Sequence, residues 1–323
     1  MNDNLTLENT LAEVLAFFKL GEVRSQVING RGFVNKTYEV ETEKGTVIIQ
    51  KLANIFDERV TVDSLFLFGW LSARGFVVPE PMIAPSGALS LTLGGYHWRA
   101  TRYIKHDEAV EKNYATLSSA AMMMGRFHRL MADCRYEPCF TLTGFHDTAG
   151  IVGRMYELVT THRIAGDLAE LAEKIKAGAS LHLVARTNDR QLIHGDPKFD
   201  NFLFVGQRAV ALVDFDTLMR GSVLLDLGDS LRSWCRRDGF VFDTRLFEEV
   251  VEAYRSEYRP PYTRDEIREA VALITLELCA RYVTDAYHQS YFAWDAEKYC
   301  SSREHNTARA MDYFRYYQSV VGK

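Results

Sequence analysis

The sequence has no CxxC pair: its five cysteines, Cys134, Cys139, Cys235, Cys279 and Cys300, are scattered at irregular intervals. An odd count without ligand spacing fits neither a disulfide framework nor a zinc site, so reduced thiols are expected. Excess positive charge is missing as well, the formal net charge being -5. A surface built for phosphate backbones needs concentrated Lys and Arg, which sets nucleic-acid binding aside. No apolar run approaches the length that spans a bilayer. The N-terminal stretch lacks the basic start and pure apolar centre of a secretory signal. Internal repeats, low-complexity tracts and long linkers are absent too. A cytoplasmic protein that binds neither nucleic acid nor membrane is expected.

What remains is globular in texture: 323 residues, 47% hydrophobic and 25% charged, enough for one large domain or two lobes. Leu11, Val14, Leu15 and Phe18 recur at helical spacing near the start. Thr37–Thr42 alternates, Glu43-Lys44-Gly45 is a turn signal, and Thr46–Lys51 reads as the returning strand. A helix is expected over Val60–Leu71, with Leu65, Phe68 and Leu71 on one side. Leu89–Leu93 and Tyr96–Ile104 flank Gly94-Gly95 as a second hairpin. Beyond Ile104 helical periodicity dominates, over Tyr114–Met131, Ala149–Ala177, Phe247–Tyr258 and Arg264–Tyr291. A strand-rich island spans Gln191–Val213. The pattern predicts an α+β protein with a small antiparallel sheet lobe over residues 1–103 and a larger, mostly helical lobe over 104–323.

The strongest local signal is His194-Gly195-Asp196-Pro197-Lys198-Phe199-Asp200-Asn201, followed by Val213-Asp214-Phe215-Asp216. Phosphoryl transfer to a hydroxyl needs few groups but demands their placement. Asp196 is the candidate base for the hydroxyl proton, and Lys198 is placed to reach the transferring phosphate. Asn201 and Asp214 offer the hard oxygen donors that Mg²⁺ prefers. An H-x-D alone would be a solvated turn between strands. The Lys, the Asn and the second Asp at these offsets argue for chemistry. His194 is expected to orient the loop rather than carry a proton. Upstream, Gly30 and Gly32 precede the first strong strand, where glycines let backbone N–H groups approach the phosphates of ATP. Lys51 ends the next strand and is placed to pair with the α- and β-phosphates, or else is an exposed strand-end charge. An acidic partner is expected on the following helix, with Asp63 first and Asp57 and Glu58 as rivals.

The H-x-D-x-K-x-x-N pattern with its later Asp-Phe-Asp resembles the protein-kinase superfamily. Asp216 in place of the glycine of Asp-Phe-Gly, and Gly195 beside the histidine, resemble its aminoglycoside phosphotransferase and choline kinase branch. That resemblance implies a protein-kinase-like two-lobe fold and ATP with Mg²⁺ as cofactors. It also implies a hinge at Arg102, Tyr103 and Ile104 whose backbone binds adenine. The stretch from Ala211 to Arg232, with Gly32–Tyr38, Ile49–Leu52 and Trp98–Ile104, is similar to bacterial N-acetylhexosamine 1-kinases. Phe33, Lys51 and the Gly195-Asp196-Pro197 sequence depart from that group. It implies phosphorylation of an anomeric sugar hydroxyl, with Asp216, Asp229 and Arg232 as substrate contacts. Asp226 is expected to cap a helix start. Tyr282, Tyr287, Tyr291, Phe292 and Trp294 are expected on a helix, as core or as a stacking surface. His128 is expected to be a satisfied interior histidine. Other readings are an aminoglycoside, choline or amino-alcohol kinase and, in a different class, a nucleotide-binding pseudokinase. No Ala-Pro-Glu follows Asp214, which argues against a protein substrate.

Overall fold

Alternating burial along residues 36–51 becomes a hairpin in the computed structural model, which describes residues 7–29, 34–182 and 190–322. Helix α1 (Leu7–Phe17) precedes strands β1 (Val23–Asn29), β2 (Lys36–Thr42) and β3 (Gly45–Lys51). Helix α2 (Val60–Ser72) and strands β4 (Leu91–Leu93) and β5 (Tyr96–Arg102) follow. Then come α3 (Tyr114–Met131), α4 (Thr148–Thr161), α5 (Asp167–His182) and β6 (Gln191–Ile193). Strands β7 (Phe202–Val205), β8 (Arg208–Leu212) and β9 (Met219–Gly221) lead to α6 (Val223–Trp234). Two short strands, β10 (Arg236–Arg237) and β11 (Val241–Phe242), precede α7 (Thr244–Glu257), α8 (Arg264–His288) and α9 (Ser302–Val320).

The chain forms two compact units. The first comprises Met1–Val110, Arg135–Leu142 and Asn201–Leu218. Its sheet has the order β1-β2-β3-β5-β4, every neighbouring pair antiparallel. Period-two alternation turns Tyr38, Val40, Val47 and Ile49 to one face, where Leu11, Val14 and Leu15 of α1 cover them together with Phe18 just beyond it. The turn between β2 and β3 is tied by the Thr42 hydroxyl donating to the Gly45 carbonyl at 2.8 Å, with Gly45 at φ +109°. In α2 the buried stripe is Val60, Asp63, Leu67 and Leu71, not the Leu65 and Phe68 side expected from the sequence. Asp63 turns inward because its carboxylate accepts the Cys139 and Phe140 amides at 2.7 and 3.1 Å and the Tyr136 hydroxyl at 2.7 Å. It thereby anchors the Arg135–Leu142 segment.

The second unit comprises Glu111–Cys134, Thr143–Asp200 and Met219–Lys323 and is helical around α8, which packs against α4, α5, α6 and α9. Residues bury on most sides of α8, as expected of a central helix. It starts at a reciprocal cap between Thr263 and Glu266 and stops at Gln289, which takes the left-handed conformation. The single helix expected over Ala149–Ala177 is two, α4 and α5. Arg163 and Gly166 adopt φ of +49° and +76° between them, which no α-helix accommodates. Helix α9 carries no periodic signal strong enough to have been anticipated. All five cysteines are free thiols. Among the described residues no helix is long and apolar enough to cross a membrane.

Gly228 sets the distance between α6 and α8. A Cβ there would lie 2.7 Å from the Ala270 carbonyl oxygen and 2.9 Å from Ile274 Cγ1. Because a backbone oxygen cannot step aside, Gly228→Ala is expected to cost about 1–3 kcal/mol, as overpacking does. A lower urea midpoint at unchanged slope is the expected result.

Candidate active site

In the first unit the expected metal donors sit at one end of one hairpin. Strands β7 and β8 pair antiparallel with Phe202 opposite Leu212. The Val213 amide then donates to the Asn201 carbonyl at 2.9 Å. Asn201 thus closes the start of the hairpin and Asp214 follows directly from its end. Asp214 holds a φ of +68°, a left-handed conformation that costs a non-glycine residue about 1–2 kcal/mol. Strain of that kind persists where the surrounding structure imposes it, commonly at functional sites. A carboxylate and an amide carbonyl on adjoining loops are hard-oxygen donors, suited to Mg²⁺ rather than zinc.

Asp216, two residues on, is buried and fully engaged. Arg99 of β5 holds its carboxylate bidentately at 2.6 and 2.9 Å, and the Asn35 amide donates to it at 2.7 Å. Asn35 also accepts the Ala53 amide at 2.8 Å. The entry to β2, the exit of β3, strand β5 and the Asp214 turn are therefore joined through one carboxylate. Both of its oxygens are occupied by protein donors, which leaves little of Asp216 for a substrate.

Lys51 stands at the end of β3, opposite Trp98 of β5. Its ammonium lies over the Tyr96 ring, 3.3 Å from the centroid. Burial, and then the charge of Lys36, lower its pKa from the usual lysine value. Among the described residues no carboxylate pairs with it in this unit. Asp63 is committed as above, Asp57 pairs with Arg59 at 2.8 Å, and Glu58 lies 3.9 Å from His97. The acidic partner expected on the following helix is thus replaced by an aromatic face. Arg102 ends β5 and pairs with Glu80 at 2.7 Å. Tyr103 and Ile104 continue from it, the Ile104 carbonyl lying 2.8 Å from His106 Nδ1. Gly30 and Gly32 lie outside the described residues.

In the second unit the loop from His194 to Asp200 is pinned from below. Asp226, in the first turn of α6, is completely buried. Its carboxylate accepts the His194 and Gly195 amides, each at 2.8 Å, and His128 Nε2 at 2.9 Å. His128 Nδ1 lies 2.8 Å from the Tyr254 hydroxyl, so this histidine is satisfied on both sides. Helix α6 itself is capped by Ser222. The expected capping role of Asp226 is corrected accordingly: it serves the loop's amides, not those of its own helix. Burial would raise the Asp226 pKa, but the hydrogen bond and charge of His128, with His194 and the Gly195 amide, hold it below the usual carboxylate range.

Gly195 adopts φ +88°, which turns the chain so that Asp196 follows with its amide 3.3 Å from His194 Nδ1. The Ser230 hydroxyl donates to the Pro197 carbonyl at 2.8 Å. Lys198 Nζ meets Asp196 Oδ2 at 2.7 Å. Burial raises the Asp196 pKa above its ordinary value, opposed by Lys198 and reinforced by the charge of Asp229. A carboxyl tuned upward suits a proton acceptor. Asp229 is bound by Arg232 at 2.7 Å, in a pair that is mostly buried. In the aromatic cluster only Tyr282 is buried. Tyr291 and Trp294 lie beyond α8 and are 60% and 40% exposed, so neither the common helix nor a core role holds for them. Sequence reading missed Arg99 and Asn35, and it missed His146, whose Nε2 lies 2.6 Å from the Gly195 carbonyl.

Comparison with known proteins identifies the family and the fold. Residues 26–269 match the model of the APH phosphotransferase enzyme family. A homoserine kinase of Methylocella silvestris is 25% identical over 264 residues, covering 76% of this chain and 75% of that protein. The microcompartment-associated aminopropanol kinase superposes with a TM-score of 0.69 at 18% identity, covering 97% of both chains. An aminoglycoside phosphotransferase from Alicyclobacillus acidocaldarius gives 0.64 at 16% identity, covering 95% of each. These superpositions establish the fold as α+β and kinase-like.

Removing the charge that pins the loop tests its weight. Asp226→Asn is expected to destabilise the protein by about 3 kcal/mol, since it leaves buried donors without an anion. A depressed folded-state pKa contributes stability above the unfolded value, and that contribution is lost as pH falls through the folded value. Wild-type stability should therefore decline below about pH 4, and the decline should be shallower in the variant. Denaturant titrations across that range provide the check.

Proposed function

The chain belongs to the APH phosphotransferase enzyme family and is a small-molecule kinase, and from that premise we propose that it transfers the γ-phosphate of ATP to the hydroxyl of a small amine-bearing metabolite. The observation that carries this reading is the Asp196–Lys198 pair, 2.7 Å apart on a loop fixed by buried Asp226. Asp196 takes the proton of the acceptor hydroxyl as its oxygen bonds to the γ-phosphorus, and ADP departs with the electrons of the broken P–O bond. Lys198 places its charge at the transferring oxygens. Asn201 and Asp214 would hold Mg²⁺, which would supply charge neutralisation at the phosphates. Lys51 serves the α- and β-phosphates, and the backbone from Arg102 to Ile104 serves adenine. The cytoplasmic location expected from the sequence belongs to the same proposal.

Two features favour an acceptor with an ammonium group. The charge of Asp229 is felt at Asp196, so a carboxylate stands near the base, paired with Arg232 at 2.7 Å. Relatives named homoserine kinase align over most of the chain, and homoserine carries an amine close to its hydroxyl. The N-acetylhexosamine reading rests on the Ala211–Arg232 stretch. Of its three substrate candidates, Asp216 is occupied by Arg99 and Asn35.

ADP release from Mg·ATP separates these acceptors when measured against L-homoserine, 1-amino-2-propanol, choline, an aminoglycoside, N-acetylglucosamine and N-acetylgalactosamine. Turnover of an amine-bearing acceptor, and none of the acetylated sugars, is expected; the reverse pattern overturns the acceptor class while keeping the kinase. Asp196→Ala should lower kcat by a factor on the order of 10² to 10⁴ with ATP still bound. Asp229→Asn should raise KM for the acceptor about tenfold and leave that for ATP alone.

A further inference from the structure

His146 belongs to none of the motifs above. It lies on the turn before α4 at a left-handed φ of +54°, with its side chain only 5% exposed. Its Nε2 stands 2.6 Å from the carbonyl oxygen of Gly195. On the other side of the ring, Nδ1 stands 3.2 Å from Oε1 of Glu277 on α8. A carbonyl oxygen can only accept, so Nε2 carries a hydrogen. A buried carboxylate facing Nδ1 calls for a proton there as well, and a ring protonated at both nitrogens is an imidazolium. The Nδ1 contact is an ion pair rather than an aligned hydrogen bond.

The surroundings sustain that charge. Glu277 receives the Thr148 hydroxyl at 2.6 Å and Arg281 at 2.9 Å. Burial alone would lower the imidazole pKa. The Glu277 carboxylate, the charge of Asp229 and the hydrogen bond to the Gly195 carbonyl outweigh it and push the value up to about 9. Burial would likewise raise Glu277, yet His146, Arg281 and Thr148 bring it to about 2. The charged groups around the ring are therefore Glu277 and Arg281 from α8, Asp229 from α6, and Asp196 from the loop. At Asp196 the positive charge of His146 opposes both burial and Asp229.

The geometry points to His146 as a positioning residue for phosphoryl transfer: an imidazolium, held by Glu277, that fixes the Gly195–Asp196 peptide through the Gly195 carbonyl and keeps a positive charge beside the base. The inference rests on the reading of Asp196 as that base. It assigns to Glu277, at a remote point of the sequence, the task of keeping the ring charged. A histidine that merely filled space would tolerate a neutral polar replacement without any change in how the base titrates.

The test uses the full chain. Nitrogen-resolved NMR of the imidazole should find His146 doubly protonated at pH 8, and Glu277→Gln should bring its titration down by at least about one unit, toward the ordinary histidine value. His146→Gln keeps an amide that can donate to Gly195 but carries no charge. With L-homoserine as acceptor, or water where homoserine is not turned over, its kcat should fall about 10- to 100-fold. KM for ATP should stay within about twofold. The acid limb of kcat/KM should move up by about one pH unit, because Asp196 has lost a favourable charge. Thermal unfolding of each variant establishes that it is folded. A neutral His146 ring at pH 7, or an acid limb in H146Q that coincides with wild type, overturns the inference. Asp196→Asn separates the two layers. Retained turnover overturns the base assignment and this inference with it, whereas loss of turnover beside an unmoved H146Q limb overturns this inference alone.

Discussion

A carboxylate in the dark interior of the helical unit is the constraint on which the rest turns. Residues 194–196 leave β6 without a ladder partner, so their amides must find acceptors elsewhere or remain unsatisfied. Asp226 supplies both oxygens to them and a third contact to His128. Through His128 and Tyr254 the same carboxylate ties α3 and α7 to α6. One buried charge is tolerable because both carboxylate oxygens are hydrogen-bonded, by three donors together. The position of Asp196 is therefore determined from beneath the loop, through the amides of the two residues before it.

The sheet unit uses the same device with different donors. Asp216 gathers Arg99 and Asn35 as Asp226 gathers His128 and two amides. In each case an aspartate proposed for chemistry is adjacent to one committed to structure: Asp214 precedes Asp216 by two positions, and the loop that carries Asp196 rests on Asp226. The structural member is buried with both oxygens hydrogen-bonded, while Asp214 and Asp196 keep partial exposure and a strained or glycine-assisted backbone.

What could be read from the chain alone follows from range. The β2–β3 hairpin was legible because alternation and Gly45 act within a few residues, and the loop from His194 to Asp200 could be singled out because its polar residues sit at fixed short offsets. The partners of Asp63, Asp216 and Asp226 were not. Asp63 meets Cys139 and Phe140, Asp216 meets Arg99, and Asp226 meets His128, all far along the chain. An aspartate near a helix start looks like a cap whatever it binds, and only tertiary packing decides. The break between α4 and α5 escaped for a related reason, since apolar spacing continues across Arg163 and Gly166 although the backbone does not. Lys51 followed the expected placement, but its company is an aromatic ring that no charge pattern announces.

The first unit is not finished when its sheet is made. All five strands of that sheet lie before residue 103, yet Arg99 meets Asp216 across 117 residues of intervening sequence. As the chain leaves a ribosome, the guanidinium on β5 must wait, uncompensated, until nearly the whole of α3, α4, α5 and the base loop has been synthesised. Closing a contact of that separation late and slowly is the expectation for high contact order. A fragment cut after the sheet would carry a buried cation with no anion. The nascent protein therefore cannot commit its sheet unit early, and a stall in translation before residue 216 leaves that unit an open client for chaperones.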